Sequence, residues 1–419
     1  DVSRSRGLGD VYKRQFLPHV IAPKLLKIIE SQTPIGKFYK KATYMSLKNE
    51  PGSLDFTIGD SHEMPLHGFV EALQKNAIPQ KIGWYGYKVS LPETQKIVSE
   101  ALKKHRGISI VPDDIFMTNG TIVGLAICLK MLVEEDDEVI LNLPPWFGYR
   151  KMIQSVGANP IGIPVKPQTF DLDLEKIADS ITEKTRAILI NSPHNPTGKI
   201  FSASTFEKLA NILTEASKRY GKPIYLISDE TFSRIIFDNQ ECLSPTQFYP
   251  YSFLVYGYSK TWMAPGQRIG YIALPETMPN RPEIRSLIGQ LQGLYFGWCF
   301  PSALMQYALE DLEKLDLNLD KLQAKRDRMV TELQNMGYEV NIPQGTFFLL
   351  VKSPWEDDGA FAELLATNYQ VFVFPGTPQE IPGYFRLSLT ANDEMITQAL
   401  PKFKAVREEA LKIESKTGS

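Results

Sequence analysis

From about residue 110 to residue 275, short apolar runs alternate with amphipathic stretches. The runs are DEVILNL (137–143), TRAILIN (185–191), PIYLISD (223–229), SFLVYG (252–257) and RIGYIAL (268–274). Between them, 120–133, 146–156 and 202–219 carry apolar residues at helical spacing. A run of Val, Ile, Leu and Tyr without polar alternation suits a strand buried on both faces. The alternation therefore predicts an α/β domain with a mostly parallel sheet flanked by helices. RIGYIAL follows SFLVYG too closely for an ordinary crossover helix. That pair is either antiparallel or not adjacent.

After about residue 300 the pattern changes. A long helical stretch (302–335) leads into short strands at 337–341, 347–351, 370–374 and 384–390, and a helix over 392–411 closes the chain. This reads as a smaller α+β domain. The expected division is 16–59 as an N-terminal arm belonging with the small domain, 60–300 as the large domain and 301–419 as the small one. Residues 1–15, DVSRSRGLGDVYKRQ, stand apart. Positions 5–15 back-translate in one frame to the adaptor of transposase-based sequencing libraries. They are set aside from fold reasoning, and the native message is expected to begin near Phe16.

With 43% hydrophobic and 22% charged residues, the chain can bury a large core. A net charge of −2 with no long run of one sign points away from nucleic acid and anionic membranes. The longest apolar stretches, such as 122–133, are well short of the roughly 20 residues that span a bilayer. Cys128, Cys242 and Cys299 are far apart and suggest neither disulfides nor zinc, so a reducing, cytoplasmic compartment is expected. His62 and His67 are the nearest histidine pair and lack a third ligand, so no metal site is expected.

Chemistry concentrates after the strands. In GYSKTWMAPGQRIGY (257–271), Lys260 lies among Tyr258, Trp262, Met263 and Pro265. Burial lowers an amine's pKa, as imine formation with a carbonyl requires. Arg268 offers a forked donor suited to phosphate. Asp229 ends PIYLISD, at the strand end where α/β sheets gather ligands. It either caps a helix over 231–236 or pairs with a protonated ring nitrogen. In NSPHNPTGK (191–199) the turn could hold the Asn195 amide against a cofactor oxygen. In TNGTIVG (118–124), Gly120 and Thr121 could expose backbone N–H groups to a phosphate, or Thr118 or Asn119 could simply cap the helix. Trp146, in PPWFGY, is either core or a ring that stacks on a flat ligand.

Together these residues resemble the class I/II aminotransferases of the aspartate aminotransferase superfamily, fold type I. The resemblance runs in order from Gly59 to Arg386, and the SK…PGxRxG and NPxNPTG-like elements are its specific parts. It implies a seven-stranded-type large domain and pyridoxal 5'-phosphate held by Lys260 as a Schiff base. Asp229 would pair with the pyridine nitrogen, Asn195 contact the phenolic oxygen and Trp146 stack on the ring. Gly120, Thr121 and Arg268 would bind the phosphate. Arg386, in YFRLSLT, matches the clamp for the substrate α-carboxylate. Gly59, in TIGD, matches the glycine lining the amino-acid site. Tyr85, in GWYGY, matches a tyrosine that reaches the neighbouring subunit's phosphate, which implies a homodimer. The implied reaction passes an amino group from an amino acid to a 2-oxo acid by ping-pong kinetics, with Lys260 as general base.

Three positions depart from the pattern. Phe232 replaces the usual tyrosine, which removes a donor to the phenolic oxygen and is expected to raise the Schiff-base pKa. Gly257 stands where many members have a phosphate-binding serine, so Arg268 and backbone amides are expected to carry more of the phosphate. Ser90 occupies a position that is commonly glycine. The alternative is a lyase, decarboxylase or synthase of the same fold and cofactor. A regulator with an aminotransferase-like domain would need a DNA-binding module that 16–60 is too short to supply. For the substrate, Tyr295, Phe296, Trp298 and Phe300 either line a side-chain pocket or form helix-packing core. Arg281 and Arg285 either read an acidic side chain or are solvated.

Overall fold

The computed structural model describes Ala22, Phe38 and residues 46–417, except residue 316. The adaptor-like stretch 1–15 and most of the arm lie outside the described residues. The described chain opens with strand β1 (Leu54–Asp55) and helices α1 (Phe69–Ala77) and α2 (Pro92–Arg106). Then follow β2 (Ile115–Thr118), α3 (Thr121–Leu132), β3 (Glu138–Leu143), α4 (Tyr149–Ser155), β4 (Asn159–Pro164) and α5 (Leu174–Asp179). β5 (Thr185–Asn191), α6 (Ala203–Tyr220), β6 (Tyr225–Asp229), β7 (Ser252–Gly257) and β8 (Gly270–Ala273) complete this part.

Strands β2 to β8 form one seven-stranded sheet in the order β2-β8-β7-β6-β5-β3-β4. Neighbours from β7 through β4 pair in parallel, whereas β8 is antiparallel to both β7 and β2. SFLVYG and RIGYIAL are therefore adjacent and antiparallel, with Gly257 opposite Gly270. The sheet is covered on both faces because its strands alternate side chains at period two. Leu189 and Ile227 pack with Leu125 and Leu129 of α3, while Ile188, Ile190 and Leu226 pack with Phe206, Leu209 and Leu213 of α6. The Ser202 hydroxyl accepts from the Thr205 N–H at 3.2 Å to start α6, and Gly221 ends it at φ +65°.

The rest comprises α7 (Arg281–Gln290), α8 (Ala303–Leu312), α9 (Leu319–Asn335), β9 (Val340–Asn341) and β10 (Phe348–Lys352). α10 (Asp358–Tyr369), β11 (Val371–Phe372), β12 (Phe374–Pro375), β13 (Tyr384–Ser388) and α11 (Asp393–Thr417) follow. The stretch 302–335 is thus two helices rather than one. Asn318 starts the second by accepting from the Lys321 N–H at 2.9 Å. α10 went unforeseen; Asp357 caps it by accepting from the Ala360 N–H at 2.9 Å. Strands β12-β13-β10-β9 make an antiparallel sheet. β1 pairs in parallel with β11, and Phe38 meets Phe374 at 5.2 Å between ring centroids. Among the described residues no helix is long and apolar enough to cross a membrane, and no His, Cys, Asp and Glu group could hold a metal.

Candidate active site

A cavity of about 270 Å³ opens where the carboxyl ends of β5, β6 and β7 approach the start of α3 and face β10 and β13. Gly59, Thr121, Trp146, Asn195, Asp229, Lys260, Arg268 and Arg386 all line it. A larger groove of about 630 Å³, bordered by Lys104, Arg106, Ser233, Arg234 and Glu313, contains none of these residues.

Lys260 sits in the turn between β7 and β8. The buried rings of Tyr258 and Trp262 stack beside it at 4.5 Å. Its Nζ donates to the Gly59 carbonyl at 3.3 Å. Burial lowers its pKa to about 8; Asp60 opposes that shift, and the positive charges of Arg268 and Arg386 add to it.

Asp229 is buried at the end of β6. One carboxylate oxygen accepts from the Tyr149 hydroxyl at 2.7 Å. The other accepts from the Thr231 N–H at 3.0 Å and its hydroxyl at 2.7 Å. Burial raises its pKa against the pull of these bonds. No side-chain cation pairs with it among the described residues. The segment 231–236 is not helical, which removes the helix-cap reading. Thr231 instead folds back onto the carboxylate in an Asx-type turn.

Asn191, at the end of β5, ties the next loop to this point. Its amide donates to the Asp229 carbonyl at 2.9 Å and its oxygen accepts from the Asn195 N–H at 2.8 Å. His194 lies underneath, 2.9 Å from the Pro144 carbonyl and 2.8 Å from the Thr197 hydroxyl, and burial lowers its pKa to about 4. Asn195 Oδ1 accepts from Arg386 Nη1 at 3.0 Å. Arg386 Nη2 donates to the Thr57 carbonyl at 2.7 Å. The Arg386 guanidinium lies 3.9 Å from the Phe348 ring centroid and 5.0 Å from that of Phe374.

Arg268 Nη1 donates to Ser259 Oγ at 2.9 Å and to the Pro265 carbonyl at 3.0 Å. Its other terminal nitrogen lies over Gly120, where φ is +83° and a Cβ would stand 2.5 Å from it. Glycine is required there for space and for backbone conformation. Among the described residues no side chain caps α3, so Thr118 and Asn119 leave its first N–H groups open beside Arg268. The Thr121 and Thr231 hydroxyls meet at 2.9 Å. Trp146 is half-buried, 5.4 Å from the Tyr149 ring. These groups are the set an aromatic, phosphate-bearing aldehyde needs: an amine, a buried anion, a flat wall and a cationic helix start.

Residues 52–403 match the family model described as aminotransferase class I and II. The chain belongs to that family. It is 30% identical over 339 residues to the probable aspartate/prephenate aminotransferase of Aquifex aeolicus, across 78% of this chain and 84% of that one. It is 26% identical over 388 residues to the aspartate/prephenate aminotransferase of Thermus thermophilus, across 91% and 98%. The crystal structure of an aminotransferase from Eubacterium rectale superposes with TM-score 0.81 at 25% identity, covering 95% of this chain and 98% of that one. Class I and II aminotransferases depend on pyridoxal phosphate, and the lyase, decarboxylase or synthase alternative is not favoured.

Within this aminotransferase the three departures find physical contexts. Phe232 is buried edge-on to Phe347 at 5.2 Å and Phe348 at 5.8 Å. A Cβ on Gly257 would overlap the Thr121 hydroxyl, which fills the space a serine there would use. Ser90 Oγ accepts from the Met117 N–H at 2.9 Å and braces β2. Two substrate readings change. Tyr295, Phe296 and Trp298 are not core; they are 61%, 37% and 40% exposed and do not line the cavity. Arg281 and Arg285 lie away from the site, partly exposed at 27% and 31%, and both clamp the buried carboxylate of Asp114. Tyr85 is exposed outside the cavity, donates to the Ala77 carbonyl, and borders a surface groove with Tyr87, Lys88, Trp298 and Phe300. Sequence reasoning missed Tyr149, Thr231, Asn191 and Ser259, all of which line the cavity. Thr231 had a signal in its spacing of two from Asp229, and Ser259 in standing next to Lys260.

Proposed function

We propose that this aminotransferase moves an amino group from an amino acid to a 2-oxo acid, with pyridoxal 5'-phosphate held by Lys260. The observation that carries the reading is Asp229. It is a buried carboxylate fixed by three donors, without a cation on it among the described residues, in one cavity with a lysine of lowered pKa and a buried arginine. A protonated ring nitrogen supplies the missing charge. Bound there, the cofactor provides an electron sink for bonds at the donor's Cα.

The chain's residues divide the remaining work. Thr121, Arg268 and the open N–H groups beside Gly120 hold the phosphate. Trp146 stacks on the ring and the Asn195 amide turns toward its phenolic oxygen. Arg386 exchanges the Asn195 and Thr57 oxygens for the donor's α-carboxylate, and Gly59 lines the same cavity. Lys260 Nζ takes the Cα proton; with a pKa of about 8 it is substantially neutral near that pH. Donor and acceptor use the same Arg386 in turn, so the kinetics are ping-pong. Tyr85 completes the phosphate site of a second copy in a homodimer. The working division is an arm to residue 59, a large part to 300 and a small part beyond it, in a reducing cytoplasm.

Adding an amino acid without acceptor should convert the cofactor spectrum and release one equivalent of 2-oxo acid. Lys260→Ala should lose the conversion by at least about 10³-fold. Release of carbon dioxide or ammonia in place of the retained amino group would sink the proposal.

A further inference from the structure

We infer that Thr231 is a positioning residue that keeps the ring proton on the cofactor's nitrogen rather than on Asp229, and that Thr121 supports it through a chain of two hydroxyls. The inference rests on the cofactor placement proposed above and goes beyond it to how that placement is tuned.

Counting protons fixes the order of the chain. An ionised carboxylate only accepts, and a hydroxyl has one proton to give. The Thr231 hydroxyl donates to Asp229 Oδ1 at 2.7 Å, so its proton is committed there. The Thr121 hydroxyl lies 2.9 Å from Thr231 Oγ1 and is therefore the donor of that pair. The chain runs from Thr121 through Thr231 to Asp229, and all three residues line the cavity. Thr121 then has no hydroxyl proton for the phosphate and offers it the backbone N–H at the start of α3. Gly257 permits this arrangement, because a Cβ there would overlap the Thr121 hydroxyl.

The chain has a task because Asp229 is under opposed demands. Burial raises its proton affinity, and a carboxylate that takes its ring partner's proton no longer carries a charge. Each hydrogen-bond donor lowers that affinity. Tyr149 serves Oδ2 at 2.7 Å and the Thr231 N–H serves Oδ1 at 3.0 Å. Those two bonds already place both oxygens. The Thr231 hydroxyl is a third donor, strengthened by what it receives from Thr121, since hydrogen bonds in series polarise one another. Its effect falls on the charge of Asp229 more than on its position.

The test is NMR, at one pH, of the holoenzyme reconstituted with pyridoxal 5'-phosphate labelled at the ring nitrogen. Thr231→Val keeps the shape and the N–H bond but removes the hydroxyl. Its ring-nitrogen signal should move from the wild-type position toward that of unprotonated pyridine, and Thr231→Ser should restore the wild-type position. In the half-reaction, Thr231→Val should lower kcat about tenfold, while KM for the donor changes by less than about twofold because Arg386 is untouched. Thr121→Val should move the signal the same way by a smaller amount, and should add nothing in the Thr231→Val background. An unmoved signal in Thr231→Val overturns the inference, as does a Thr231→Ser signal displaced as far as that of Thr231→Val. A Thr121→Val shift that persists in the double variant overturns the chain. Should Thr231→Val not fold, Thr231→Ala reads the same loss. A wild-type protein that gives no bound-cofactor signal would sink the cofactor reading itself, whereas a signal indifferent to these variants sinks only the role of Thr231.

Discussion

At the carboxyl ends of β5 and β6 the polar side chains hold one another, whereas Arg386 on β13 rests on rings. Asp229 takes three hydrogen bonds from two hydroxyls and an amide, and Asn191 locks the following loop to the same strand end. Arg386 has two aromatic faces, one carbonyl and one amide oxygen around it. The first arrangement fixes the direction of a buried anion and leaves it one unmet need, a cation. The second gives a cation the neutral Asn195 and Thr57 oxygens, which an incoming carboxylate outcompetes because it adds a full opposite charge and can take two parallel bonds from the guanidinium. One wall suits a resident group; the other suits guests that come and go.

The contrast can be broken in graded steps. Asp229→Asn keeps the shape of the first wall and removes its charge. Losing one partner of a buried charge pair costs about 3–5 kcal/mol, so kcat/KM should fall by about 10²–10⁴-fold, with weaker cofactor retention on dialysis. Unchanged retention would mean that this wall is not built for the cofactor. Arg386→Lys should cost less. It forfeits one of two parallel bonds to a carboxylate, about 1.5–3 kcal/mol, and kcat/KM should drop about 10–100-fold, mainly through KM, with the cofactor spectrum unaltered. A matching loss of cofactor affinity would show that the two walls are not independent. The smallest effect is expected at Arg150 on α4, which reaches Glu380 near β13 at 2.5 Å with both side chains about a quarter exposed. A pair so open to solvent contributes about 1 kcal/mol or less. Arg150→Ala should therefore lower Tm by about 2–4 °C at most. A much larger fall in scanning calorimetry would mean that the two walls are joined rigidly through this pair.

How much could be read in advance follows the same divide. TRAILIN and SFLVYG coincide with β5 and β7 because a strand buried on both faces must be apolar without interruption. Residues whose chemistry needs only local context were also legible. Lys260 stands in sequence between the core residues Tyr258 and Trp262, and Asp229 ends its own strand. What was hidden depends on distant partners. Tyr149 meets a carboxylate 80 positions away, and Arg281 one 167 positions away. No local pattern marks either. The break between α8 and α9 was hidden for another reason: both helices turn Leu residues inward, so the apolar spacing runs on as if unbroken.

The glycines of the phosphate corner carry one more consequence. Position 120 leaves room for Arg268, and position 257 leaves room for the Thr121 hydroxyl. Each polar group stands in a volume that another residue declines to fill. The corner is thus a mould whose dimensions are set by subtraction, and a change of one methyl at either glycine would displace a charged or hydroxyl group without touching it chemically. A site of this kind can be lost through substitutions that look conservative, and it can be recognised only when the empty volumes are read along with the side chains.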